Sequence, residues 1–150
     1  MKNILFCLLS FGLLSLTSCD STKKQSETAD NSLSETLKLE DTEWQLIALF
    51  VEPIDSNPEN YYLIFDPKEQ RIRAKANCNV LNMSYTLSDE KRLSIKDGIS
   101  TKMACPDDTE VRFLKALRET DYFEINTNEL YLFQDKQIAP LAKFKQIKSN

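Results

Sequence analysis

Two short stretches hold the residues best suited to chemistry: Ala76-Asn77-Cys78-Asn79, and Thr101-Lys102-Met103-Ala104-Cys105-Pro106 some two dozen residues later. A thiol pair of this kind can form a disulfide, pack as two small apolar groups, or take part in redox or metal chemistry. The chain contains no histidine, and two thiols without imidazole make a poor metal site. The same absence removes Ser-His-Asp and Cys-His nucleophile pairs, together with the one side chain that titrates unperturbed near neutrality. No CxxC, Walker loop or GxGxxG occurs. Carboxylates are plentiful, at 23 Asp and Glu, but a hydrolytic pair needs two at a set separation, and spacing singles out none. These features point away from an enzyme, and no cofactor or metal is expected.

The other two cysteines lie at the N-terminus. Lys2 precedes an apolar run over residues 4–16, interrupted only by Ser10, Gly12 and Ser15. That is the pattern of a secretory signal, too short and wrongly flanked for a spanning helix. It ends in Leu16-Thr17-Ser18-Cys19, which resembles the bacterial lipobox. The resemblance implies removal of residues 1–18 and acylation of Cys19, palmitate among the chains. Each buried CH₂ contributes about 0.8 kcal/mol, so several chains on one residue hold a protein on a membrane. The competing reading is an ordinary secreted protein in which Cys19 is incidental. Residues 19–38, rich in Ser, Thr, Asp, Glu and Lys, read as a flexible tether. The expected location is the cell envelope, extracytoplasmic, on the periplasmic face or outer surface.

Residues 39–150 are the size of one domain. Without Lys2 the chain carries 18 Lys and Arg against 23 Asp and Glu, a net charge of −5. That acidity argues against nucleic acid and against a charge-based grip on anionic lipid. Alternation predicts an antiparallel, half-buried sheet. Trp44, Leu46, Ala48 and Phe50 share one face, as do Ile72, Ala74 and Ala76, and Met83, Tyr85 and Leu87. Residues 61–65, Leu93 with Ile95, 122–125, 130–133 and 141–147 complete the strands, and 88–91 reads as a turn. One helix interrupts them: Asp107 reads as N-cap with Glu110 three residues on as a capping box, and Val111, Leu114 and Leu117 form its apolar stripe. Trp44, Tyr61 and Tyr62 read as core, and the basic face of Arg71, Arg73 and Lys75 as solvated surface.

Thr42-Glu43-Trp44-Gln45-Leu46, Asn77-Cys78-Asn79 with Tyr85 six residues on, the 101–106 hexapeptide and the helix after it stand in one register over about 110 residues. Together they resemble the META domain, the family of heat-shock lipoproteins of the HslJ type. The resemblance implies a mainly β fold, a curved antiparallel meander or small partly open barrel with one amphipathic helix packed across it. It also implies a non-enzymatic, stress-related envelope protein. Two positions depart from the family pattern, which has glycine where this chain has Asn77 and Met83. Asn77 can keep a left-handed turn; Met83 cannot do so cheaply, so a bulge there is expected to change. Asn at 77, 79, 82, 126 and 128 reads as having taken over turn positions.

If Cys7 leaves with the signal and Cys19 carries lipid, an oxidising compartment is left with one pair, Cys78 and Cys105, and a disulfide is the favoured reading over two buried thiols. Two functions from different classes remain. One is a tethered module that binds an envelope protein or component, including as inhibitor of an envelope hydrolase, with an exposed loop carrying Asn77, Asn79, Asn82 and Tyr85 as its contact. The other is a small-molecule carrier using the barrel interior. Cys19→Ser is expected to yield soluble or unprocessed protein; a correctly cleaved mutant that still fractionates with membranes overturns the lipid reading.

Overall fold

The computed structural model describes residues 38–88 and 91–147. Cys7, Cys19, the expected signal, and the tether up to residue 37 lie outside the described residues, as do Asp89 and Glu90 of the expected turn. In chain order the elements are β1 (Glu43–Leu49), β2 (Glu52–Pro53), β3 (Tyr61–Asp66), β4 (Arg71–Ala76), β5 (Asn79–Ser88) and β6 (Arg92–Ser100). They continue with α1 (Thr109–Arg118), β7 (Tyr122–Asn126), β8 (Glu129–Phe133) and β9 (Ala142–Gln146). Every pairing is antiparallel, in the order β1-β3-β4-β5-β6-β7-β8-β9, and β9 pairs back onto β1. Eight strands therefore close a ring, with β2 attached outside it as a short hairpin arm on β1. The expected meander is present, and the barrel it forms is closed.

Alternation fills the ring from within. Trp44, Leu46, Leu63, Phe65, Ile72, Ala74, Leu81, Met83, Tyr85, Leu93, Leu130, Leu132 and Phe144 are buried in one core, as period-2 strands with one wet face require. Trp44 donates its indole N–H to the Leu39 carbonyl at 3.0 Å, so the buried ring leaves no polar atom unpaired. That bond and the burial of Leu39, next to exposed Lys38, draw the entering chain onto the core.

Two bulges correct the expected pattern. A register shift between Leu46 and Ala48 turns Leu49 into the core in place of Ala48 and Phe50, which are only half-buried. A second shift lies between Asn82 and Ser84, opposite Gly98 on β6. A Cβ on Gly98 would sit 1.9 Å from the Asn82 carbonyl oxygen. Met83 stays buried on the regular strand, so the bulge is carried by a glycine across the ladder. Leu87, expected inside, is 39% exposed near the end of β5.

Asn77 does adopt φ 71° in the two-residue turn between β4 and β5. The other positive-φ residues are Asp41, Phe50, Val51, Gln70, Lys91, Thr127 and Lys136. Asn128 also lies in a two-residue turn, between β7 and β8, where the positive φ belongs to Thr127, whereas Asn79, Asn82 and Asn126 lie on strands.

The ring is weakest between β6 and β7, which share one register pair, Arg92↔Tyr122, and the Leu93 N–H bond to Asp121 at 3.0 Å. One side chain, Arg92, spans that seam and leads into a stack that continues along β7 and β8. The Arg92 guanidinium lies 6.0 Å from the Tyr122 ring, Tyr122 stacks on Phe133 at 5.0 Å, Phe133 on Tyr131 at 6.3 Å, and Lys143 lies 5.3 Å over Tyr131. A cation thus caps each end of a three-ring stack running from β6 to β9.

Helix α1 touches β1, β4, β6 and β9, strands on opposite sides of the ring. A helix lying on the outer wall reaches only neighbouring strands, so α1 lies across a mouth. It inserts Phe113, Ala116 and Leu117, and Phe113 meets Phe144 at 6.1 Å between ring centres. Val111, expected in the stripe, is 69% exposed: the face that meets the ring is centred on Phe113 and Leu117. Among the described residues no helix is long and apolar enough to cross a membrane. Gly98→Ala is expected to cost roughly 1–3 kcal/mol, because the methyl group collides with backbone rather than with a movable side chain; a urea midpoint unchanged from wild type would refute it.

Candidate functional site

The mouth covered by α1 also gathers the two cysteine stretches. Cys78 ends the β4–β5 turn, and residues 101–108 run irregularly from β6 to α1. Cys78 and Cys105 form a disulfide with Cα atoms 5.8 Å apart, inside the range the bond permits. It ties the sheet to the segment that introduces the helix.

Asn79 does as much as the disulfide. Its side chain is buried, at 4% exposure, and every polar atom is used. The Oδ1 accepts the Met103 N–H at 2.9 Å and the Thr101 hydroxyl at 2.8 Å. The Nδ2 donates to the Met103 carbonyl at 3.1 Å, lies 3.3 Å from the Cys105 sulfur, and bonds the Glu110 carboxylate. Thr101 in turn accepts the Val80 N–H at 3.1 Å, and Ser100 donates to Glu110 at 3.2 Å. The Thr101 N–H still bonds the Val80 carbonyl on β5 at 3.2 Å; beyond it a single amide stands in for the strand partner that Met103 lacks.

The helix start differs from the expected capping box. By backbone geometry the N-cap is Asp108, with no side-chain cap bond. Asp107 accepts the Thr109 N–H at 2.9 Å and the Asn77 amide at 3.0 Å. The bonds from Thr109, and after them the one from Asn77, hold its carboxyl below the usual range. Glu110 is turned away from the cap and accepts instead from the Asn79 amide and the Ser100 hydroxyl.

The expected contact loop is not a loop. Asn79, Asn82 and Tyr85 all lie on strand β5, and both Asn79 and Tyr85 are buried. Asn82 accepts from the Arg71 Nε at 2.7 Å, and Asn77 is half-buried in its turn. Tyr85 packs edge-on against Phe65 at 5.1 Å and bonds Glu40; burial first, then that bond, push its phenol above the usual range. What is exposed instead is the facing segment: Lys102, Met103 and Ala104, beside Val111, border a depression of about 550 Å³ floored by Asn79, Ser100 and Glu110. Sequence reading singled out the 101–106 hexapeptide for its cysteine but missed its neighbours as a surface, since Val111 looked like a core position.

Tyr61 is half-buried and packs against the core, as expected, whereas Tyr62 is half-buried outside it. Among the described residues no group of three His, Cys, Asp or Glu is placed to hold a metal.

Removing the Asn79 amide leaves the Met103 N–H and the Glu110 carboxylate short of partners. Asn79→Ala is expected to cost about 2–3 kcal/mol of stability, against under about 1 kcal/mol for Asn82→Ala, where only one half-exposed bond is lost. Chemical denaturation of both variants checks the ranking, which equal losses would overturn.

The META domain family profile matches residues 35–146. No curated protein matches the chain. Two solved structures share the architecture. The crystal structure of a DUF4847 family protein from Bacteroides vulgatus has TM-score 0.56 and 11% identity, over 75% of this chain and 96% of that one. A structure solved by NMR has TM-score 0.51 and 22% identity, over 69% and 87%. At those identities the likeness is one of fold. The family match spans the whole barrel, both cysteine stretches and the helix, and the chain belongs to the META domain family.

Proposed function

We propose that this protein is a lipid-anchored, non-enzymatic module of the bacterial envelope, stress-related in role, that works by binding another protein or envelope component through its outer surface. The observation that carries this reading is the filled interior. Trp44, Phe65, Phe113 and Phe144 have no exposure, and the ring is closed at one mouth by α1. Small-molecule carriers need an enclosed chamber of a few hundred Å³; the depressions described here open on the outside, at the disulfide mouth, beside Arg92 and beside Lys68. Carriage in the interior is therefore the weaker alternative.

Anchoring through Cys19 rests on the lipobox resemblance. The chain enters the barrel at the mouth away from α1: Asp41 bonds Phe65, and β1 then runs up to Leu49, beside Arg112 of the helix. The braced segment 101–108 thus lies at the mouth opposite the one where residues 38–41 enter, exposed to a partner. Inhibition of an envelope hydrolase is a special case, with that segment as the contact in place of the stretch after Cys78.

Protein extracted in mild detergent and weighed by native mass spectrometry is expected to show the acylated chain alone. A photoreactive residue at Met103 is expected to cross-link in cells where one at Leu87 does not. A stoichiometric small molecule retained in the native spectrum would overturn the reading in favour of a carrier.

A further inference from the structure

The chain is acidic overall, yet its cations are not evenly mixed with its carboxylates. The described ion pairs are Arg92–Asp135, Arg112–Glu52, Arg118–Asp97 and Lys143–Glu129. Arg71, Arg73 and Lys75, on alternate positions of β4, are absent from these pairs, and so is Lys96 on β6. All four point outward, since Ile72, Ala74, Ala76 and Ile95 between and beside them face the core.

The partners of this row are neutral. Arg71 Nε donates to Asn82 at 2.7 Å and Lys75 Nζ to Asn60 at 2.7 Å. In the ladder Arg73 lies between Ile64 and Asn82, and Lys96 lies opposite Ser84. Asp66 is in register with Arg71, but its carboxylate accepts the backbone N–H groups of Lys68 at 2.8 Å and Glu69 at 3.2 Å. An amide acceptor orients a cation without cancelling its charge; the N–H groups on Asp66 likewise leave it an anion that offsets Arg71 in part, so the row is preorganised and its excess positive charge is carried by Arg73, Lys75 and Lys96. The sequence's net charge of −4 conceals it.

We propose that this face, centred on Arg71, Arg73 and Lys75 with Lys96 beside it, docks the barrel side-on against the anionic headgroup layer of the membrane. A convex barrel wall meets a plane along one strand, and β4 is the strand that carries the row. Lys75 is flanked in the ladder by Tyr62 and Val80, one half-buried and the other exposed. That mixture of a cation with apolar and phenolic neighbours suits a headgroup interface better than a soluble polyanion. The choice of membrane rests on the anchoring proposed above: a chain held at Cys19 keeps the barrel within about 65 Å of the bilayer, the extended length of the residues between. At that range even weak attraction to lipid phosphates decides orientation.

The test uses the chain from residue 19 onward with Cys19→Ser, so that no lipid contributes, sedimented with vesicles of phosphatidylcholine with or without phosphatidylglycerol. Binding is expected only with phosphatidylglycerol and is expected to fade with added salt. Arg71→Gln, Arg73→Gln and Lys75→Gln are each expected to weaken it about fivefold, the effect of one cation near a charged bilayer. Arg73→Lys, which keeps the charge, should retain it, as should Lys136→Gln and Lys145→Gln on other parts of the surface, with melting curves confirming the fold. No binding to either vesicle, or equal losses in the control variants, overturns the proposal. Binding to soluble polygalacturonate without binding to vesicles also overturns it and reassigns the face to an anionic glycan. Because the vesicle assay omits the lipid, its failure is separate from a failure of anchoring, which fractionation of the full chain reports.

Discussion

Closure of the sheet is the constraint from which most of this structure follows. Gln45 on β1 is in register with Tyr62 on one side and Lys145 on the other, so the first strand has no free edge to offer another chain. A ring of eight strands has an interior just wide enough for side chains, which is why large groups such as Trp44, Phe65 and Phe144 can meet there without a chamber. The same closure forces local irregularity. The sheet bends at Ile47 and across from Met83, and at the second point only a residue without a Cβ fits, which gives the one glycine of the domain its place at position 98. It also leaves a thin seam between β6 and β7, crossed by the Arg92 guanidinium against the Tyr122 ring beside a single register pair.

A mouth left open would expose the ends of that core. Helix α1 seals it, and beyond Thr101 the segment leading into α1 has to cross the rim without strand partners. Asn77, Cys78 and Asn79 solve this together: one bonds Asp107, one is covalently joined to Cys105, and one supplies paired acceptor and donor to Met103. Buried polar groups stabilise only when fully satisfied, and here they are, which makes the rim rigid while leaving Met103, Ala104 and Val111 toward solvent. Rigidity with exposed apolar side chains is a combination that suits recognition, because little conformational freedom is lost when a partner binds.

Fold and family do not by themselves assign a molecular role. What narrows the role is the contrast between a filled inside and a differentiated outside: a braced rim at one mouth, an acidic entry at the other with Glu40, Asp41, Glu43 and Asp66, and a basic row along one wall.

Much of this was legible in the sequence. Period-2 alternation determined most strands, from Trp44 and Leu46 to Leu130 and Leu132, because each strand buries one face only. The isolated pair Cys78 and Cys105 pointed to a disulfide, and the switch to helical period after Pro106 located α1. Other features depend on residues far apart in the chain, and no local pattern could carry them. Leu49 replaced Ala48 and Phe50 in the core because pairing with β9 shifts register at Ile47. Val111 faces water because the angle at which α1 meets the mouth, not its own periodicity, sets its buried face. Glu110 left the helix cap because folding brings Asn79 and Ser100 to its carboxylate. Asn79 found its partners at Thr101, Met103 and Glu110, and Arg71, Arg73 and Lys75 formed no ion pair, for the same reason: which groups become neighbours across a closed sheet is decided only when the sheet closes.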